Sequence, residues 1–281
     1  MVSPRDRRRA VERIVTERGL SQRHACQLVG LQRSTARYLC HARSEEAETV
    51  ALIREYAHEQ PMYGYRIITA MLKHDGYRIN RKRVYRIWRQ EGLQLPRRKT
   101  VKRRFGDSTE TLRRASRPNE VWTYDFLEAR TERGGKLRML TILDEYTREC
   151  LTIHVARSIS SRQVIQVLEW LVLLRGAPDY LRSDNGPEFI AYALQQWLRA
   201  RHCNTLYITP GSPWENPFIE SFNGTFRGDC LKRWVFVDGH EAQIVIEQWR
   251  QEYNHRRPHS SLGYLAPAAF AEQARLSLNL V

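Results

Sequence analysis

The sequence predicts a mixed α/β core preceded by small all-helical regions, and three observations carry that prediction. The first is a change of period: up to about residue 95 apolar residues recur at helical spacing, whereas from Val121 onward strand-like segments alternate with helical ones. The second is length, since 281 residues suffice for one sizeable core with accessory domains. The third is charge. Residues 1–120 hold 28 Lys and Arg against 13 Asp and Glu, residues 121–281 hold 18 against 18, and the whole net charge of +15 therefore lies in the first part. A basic arm on a neutral domain is the footprint of a polyanion binder, nucleic acid being the commonest such partner. The chain divides on these grounds into a helix-turn-helix region (1–45), a second helical region (46–95), a basic linker (96–120), an α/β core (121–237) and a C-terminal helix and tail that pack on the core (238–281).

In the first region Ser21 suits the N-cap of a short helix over Gln22 to Val29, Gly30 makes a turn, and a second helix is expected from Arg33 to His41. That helix would present Arg33, Ser34, Thr35 and Arg37 to a DNA groove, with Ala36 and Leu39 against its partner. Any helical hairpin shares this spacing. A second helical pair follows: Tyr65 to His74, a turn at Asp75-Gly76, then Asn80 as N-cap of a helix from Arg81 to Glu91 closed by Gly92. Val84, Ile87, Trp88 and Glu91 share one face. Arg81, Lys82 and Arg83 in its first turn oppose the helix dipole, at a cost of a few tenths of a kcal/mol each. A bound phosphate would reverse that sign.

An acidic membrane surface is disfavoured as the partner. The longest compact apolar run, Trp170 to Leu174, falls far short of the roughly 20 residues of a membrane span, and no signal-peptide pattern is present. Five cysteines, scattered and without a C-x-x-C pair, indicate neither a disulfide framework nor a zinc site and fit a reducing, cytoplasmic setting.

In the core, residues 121–130, 136–146 and 149–156 read as successive strands, the first turn carrying Gly134-Gly135. A helix over "SRQVIQVLEWLVLLRG", a fourth strand "YLRSD", a helix over "AYALQQWLRARH" and a fifth strand "NTLYITP" complete a β-β-β-α-β-α-β order, which implies a mixed sheet with helices on its faces.

Three carboxylates stand out on this frame. Asp125 lies mid-strand between Tyr124 and Phe126, where a lone buried acid costs several kcal/mol and calls for a cation. Asp184 ends the fourth strand, where Asn185-Gly186 and Pro187 turn the chain toward a helix; capping that turn would also account for it. Glu220 lies in the first turn of a helix that Asn216-Pro217 can start. If the three converge at one sheet edge, their repulsion calls for a hard divalent cation, Mg²⁺ or Mn²⁺. Two such ions, roughly 4 Å apart, suit in-line phosphoryl displacement. Arg227, two helical turns beyond Glu220, and Asn223 between them fall on nearly the same face, which suits a grip on DNA phosphate; a structural ion pair is the alternative for Arg227.

The motifs W-x-x-D-F (122–126), S-D-N-G-P-E-F (183–189) and P-F-I-E-S-F-N-G (217–224), with 35 residues between Asp184 and Glu220, resemble the acid triad of retroviral-type integrases and transposases. "MYGYRIITAMLKHDGYRINRKRVYRIWRQEGL" and "YNHRRPHSSLGYLAPAAF" resemble the OrfB-type transposases of bacterial insertion sequences, and the similarity spans almost the whole chain. The resemblance implies an RNase H-like core with Asp125, Asp184 and Glu220 as metal ligands. It also implies binding of terminal inverted repeats and target DNA, hydrolytic nicking, and attack of a DNA 3′-hydroxyl on another strand. A homo-oligomer on DNA and an upstream-frame protein as frameshift fusion partner are further implied.

The tail motif carries one more expectation. Trp249 and Tyr253, four apart on a helix that Arg256 to Pro258 must end, should dock on the core and set Asn254, His255, Arg256, Arg257 and His259 at its rim, with Arg256 or Arg257 holding the DNA strand opposite Arg227.

Overall fold

The computed structural model describes residues 3–37, 45–96, 114–183, 192–207 and 216–279. They fall into two compact units, Met1–Leu52 and Ile53–Val281.

In the first unit α1 (Pro4–Arg18), α2 (Gln22–Val29) and α3 (Arg33–Ala36) enclose a small core of Val11, Ala25 and Cys26, with Ile14, Val15, Val29 and Ala36 packed around it. Ser21 caps α2 by accepting from the His24 N–H, and Gly30 ends it at φ 63. The structure departs from expectation at α3, a single turn ending at Ala36; Leu39 and the rest of 38–44 lie outside the described residues. Helix α1 was not anticipated, although Ser3, Pro4 and Asp6 form its capped start and Gly19 its left-handed end.

Helix α4 (Glu45–Glu59) runs into the second unit, where α5 (Tyr65–His74) and α6 (Arg81–Gln90) pair. Ile68, Met71 and Leu72 of α5 are buried, as are Val84, Ile87 and Trp88 of α6. Asn80 caps α6 through the Lys82 N–H.

The α/β core is a five-stranded sheet in the order β3-β2-β1-β4-β5, comprising β1 (Val121–Arg130), β2 (Lys136–Asp144), β3 (Cys150–Ala156), β4 (Tyr180–Ser183) and β5 (Asn204–Tyr207). The first three strands pair antiparallel, and β4 and β5 add parallel on the other side of β1. Strand β2 stops at Asp144, two residues early. The Asp144 carboxylate accepts the N–H groups of Asn119, Tyr146 and Thr147 and so closes a turn rather than extending a ladder; burial pushes its carboxyl up.

Because side chains alternate along a strand, β1 divides the core. Trp122 and Tyr124 face α7 (Ser161–Arg175) and α8 (Tyr192–Ala200), meeting Val164, Leu168, Leu171, Leu194 and Leu198. Leu127, on the opposite face, meets Ile219, Phe222 and Phe226 of α9 (Pro217–Phe226) and Tyr253 of α10 (Gly239–His255). The expected docking of the tail helix is found: Trp249 lies 4.8 Å from Phe226, and Tyr253 stands edge-on to Phe222 at 5.0 Å, between ring centroids. Helix α11 (Pro267–Asn279) follows.

Candidate active site

Asp125 lies on the face of β1 that carries Thr123 and Leu127, the face against which α9 packs. Two contacts fix α9 there. The buried Thr123 hydroxyl donates to Asn216 Oδ1 at 2.6 Å, pinning the residue before Pro217, and three turns of apolar side chains seal the rest. Pro217 at the helix start puts Glu220 in the first turn.

Asp125 is half-buried. Its Oδ1 accepts from the N–H of Phe126 at 2.7 Å and its Oδ2 from Asn223 Nδ2 at 2.7 Å. The Thr141 hydroxyl, opposite Asp125 on β2, lies 3.1 Å from the Asp125 carbonyl and 3.2 Å from Asn223 Oδ1, and can donate to one of them at a time. Asn223 differs from expectation here. Only 3 % exposed, it cannot grip a phosphate; it turns its amide inward and orients the carboxylate.

Glu220 is exposed and has no cationic partner among the described residues, and desolvation raises its carboxyl above the ordinary value. Asp184 lies outside the described residues. What precedes it is clear: β4 runs parallel to β1 with Arg182 opposite Thr123, and Ser183 ends the strand fully buried. Behind this edge Arg182 Nε donates to Glu145 Oε1 at 2.7 Å in a pair almost without solvent access, and burial drives the Glu145 carboxyl up to about 7. Neither member of that pair was singled out from sequence, where nothing local marks it. Among the described residues no three His, Cys, Asp or Glu cluster as a metal site, so the described donors of the expected triad are Asp125 and Glu220.

The expected DNA-contacting cations divide. Arg227 is exposed in the π-helical turn Arg227–Leu231 that continues α9, and Arg256 is exposed at the end of α10. Arg33, Arg37, Arg81 and Lys82 are exposed, while Arg83 is half-buried. Arg81 and Lys82 line a groove of about 1050 Å³ with Arg66, Lys73 and Arg78. Arg257 does not belong to the rim. Its guanidinium, 13 % exposed, pairs with Asp229 and lies 4.4 Å over the Tyr63 ring, so its charge is spent inside the fold. Asn254 is likewise buried, bonded to the Cys150 N–H and carbonyl.

Two models described as integrase core domain match residues 115–213 and 201–267, and one described as HTH-like domain matches residues 43–100. The chain is 40% identical over 256 residues to the IS407 insertion element's uncharacterized 31.7 kDa protein from Burkholderia multivorans, covering 91% of this chain and 92% of that one. It is 30% identical over 242 residues to transposase InsD of insertion element IS2 from Escherichia coli, covering 82% and 80%. The chain belongs to the insertion-sequence transposases with an integrase core. A further relative of this transposase, the uncharacterized 39.2 kDa protein of insertion element IS476 from Xanthomonas euvesicatoria, is 36% identical over 277 residues, which cover 98% of this chain and 79% of that one. Among solved structures, a chain of the simian T-cell lymphotropic virus intasome in complex with PP2A regulatory subunit B56 gamma aligns at a TM-score of 0.50 with 15% identity, covering 79% of this chain and 74% of that one. That likeness concerns the fold, an RNase H-like mixed sheet. The transposase is a DDE polynucleotidyl transferase, and no helix among its described residues is long and apolar enough to cross a membrane.

Proposed function

We propose that Asp125, Asp184 and Glu220 form one phosphoryl-transfer site, and that the transposase uses it first to nick element ends and then to join them to target DNA. The observation that carries this reading is Asp125 itself. Its half-buried carboxylate accepts from the Phe126 N–H and from Asn223 Nδ2, on the face of β1 against which the helix carrying Glu220 packs, and Glu220 has no cationic partner among the described residues. Hard oxygens so arranged suit Mg²⁺ or Mn²⁺, and Asp125, Asp184 and Glu220 would hold two such ions. When bound, the ions would neutralise the carboxylates and supply charge stabilisation to the reacting phosphate.

In the first step a water oxygen attacks the phosphorus at the element end, one P–O bond forms as another breaks, and the strand leaves with a free 3′-hydroxyl. In the second that hydroxyl attacks a target phosphodiester and displaces the target's own 3′-oxygen. Each step breaks one P–O bond to a 3′-oxygen as it forms another, to a water oxygen in the first and to a 3′-hydroxyl oxygen in the second, so no covalent protein–DNA link and no nucleotide cofactor is needed. Asn223 and Thr141 keep Asp125 in one rotamer throughout, and to Arg227 and Arg256, both exposed, the proposal assigns the holding of backbone phosphates.

Binding of the terminal inverted repeats is assigned to the basic helical parts, through Arg33 and Arg37 in one unit and Arg81, Lys82 and Arg83 in the other. Their cations, with those around the α6 groove, give the sequence-independent part of the affinity. Action as a homo-oligomer on DNA, and with an upstream-frame fusion partner, completes the proposal. A strand-transfer assay with precut element ends, Mg²⁺ and supercoiled target DNA tests it: joined products are expected, whereas cleavage without joining would make the protein a nuclease of the same fold.

A further inference from the structure

A second cavity, of about 690 Å³, opens on the other side of α9 from Glu220. At 100° per residue Phe218, Ser221 and Thr225 fall on the side of the helix away from Glu220, Asn223 and Arg227, so the thickness of one helix separates the cavity from the side that carries Glu220. Its walls combine features that a buried core does not. Tyr65, Tyr264 and Phe218 supply flat rings, Arg66 and Arg148 supply permanent charge, and Ser221 adds a hydroxyl.

Arg148 is the telling residue. It sits at φ 62 in the turn that Asp144 closes, with its guanidinium 3.6 Å from the Phe218 ring centroid. Its Nη1 is buried without a hydrogen-bond partner among the described residues; Glu145 attracts it through space but is bonded to Arg182. A charged donor left so is expensive unless an anion accepts from it. His259 lines the same cavity, also with an unpartnered Nε2 among the described residues. Burial first, then Arg257 and Arg148, press its imidazole down to about 3, which reports the positive field in this space.

The cavity is also connected. Arg66 and Tyr264 line both it and the groove that holds Lys73, Arg78, Arg81 and Lys82, so one cationic path leads from the N-terminus of α6 to Ser221. Rings between cations, in a space large enough for a nucleotide, match the way single-stranded nucleic acid is held. We propose that this cavity takes one unstacked nucleotide of single-stranded DNA, its base against the Tyr65 and Tyr264 rings and its phosphate on Arg66 and Arg148, the latter held over Phe218. The inference rests on the reading that the chain binds element-end DNA. The nucleotide would lie within a few steps of the scissile phosphate, and its capture would favour frayed over closed ends.

The test uses the full chain and two fluorescent probes: a blunt duplex of the element's terminal sequence, and the same duplex with a three-nucleotide single-stranded tail, both titrated without Mg²⁺. Stacking on ring platforms is worth about tenfold or more per base, so the tailed probe should bind at least tenfold tighter. Ser221→Trp, which fills the cavity, and Arg66→Ala, which removes a cation, both alter exposed side chains, and their melting temperatures check the fold. Each should cut the preference below threefold. Equal affinity of wild type for both probes, or an undiminished preference in both folded variants, would overturn the inference alone. Binding of neither probe at low salt would overturn the element-end reading and this inference together.

Discussion

Replacing Arg257 with Ala should unfold the transposase far sooner while replacing its neighbour Arg256 should not. The Arg257 guanidinium is 13 % exposed and its partner Asp229 8 %, so truncation removes the cation and leaves a carboxylate in a site that water barely reaches. Breaking a buried pair from one side costs about 3–5 kcal/mol, and the lost stacking over Tyr63 adds roughly 0.5–2 kcal/mol. At 2–4 °C per kcal/mol for a unit of this size, the melting temperature should fall by roughly 7–28 °C. Arg256 is exposed and has no ion-pair partner among the described residues, so Arg256→Ala should shift it by about 2 °C or less. Calorimetry on both variants decides the matter. The double change Arg257→Met with Asp229→Leu, which strands no charge, should recover at least half of the loss. An Arg257→Ala protein that melts within 2 °C of wild type but loses affinity for element ends would refute the reasoning and return Arg257 to the DNA surface.

Asn223→Ala should lower the rate of Mg²⁺-dependent end cleavage by about 10–100-fold, as loss of a group that orients a ligand does, with affinity for element ends unchanged within twofold; a fall in affinity with normal cleavage would mean that Asn223 touches DNA after all. His259 should make the fold acid-sensitive. Its pKa is lowered from about 6.5 in the unfolded chain to about 3, so between those values the unfolded chain binds the extra proton, and stability falls as pH drops from about 6.5 toward 3 by up to about 1.4 kcal/mol per pH unit. In His259→Gln, denaturant titrations from pH 7 to 4 should show that part of the slope gone; an identical slope in both proteins would remove His259 from the account.

How much of this was legible in the sequence depends on how local each cause is. Strand β1 reads directly, because Trp122 and Tyr124 alternate with Thr123 and Asp125 and the Gly134 turn returns the chain. The end of β2 does not, because Asp144 stops it by capping a turn with its side chain, and an acid after "TIL" reads equally well as strand. Helix α1 carried readable signals in Ser3, Pro4, Asp6 and Gly19, but the arginines of "PRDRRRAVER" hide how few apolar contacts it makes. Asn223 and Arg257 show the limit of spacing arguments. Helical position puts Asn223 on the face of Glu220 without saying how deep it sits, and the partner that buries Arg257 lies 28 residues away on another element.

The central claim, that Asp125, Asp184 and Glu220 act as one metal-dependent phosphoryl-transfer site, is tested most directly by end cleavage measured alongside end binding in Asp125→Asn, Asp184→Asn and Glu220→Gln. Each change keeps size and shape while removing the charge that a divalent ion requires. Loss of Mg²⁺-dependent cleavage in all three proteins, with affinity for element ends within threefold of wild type, is the predicted result. Near-normal cleavage by any one of them would contradict the account.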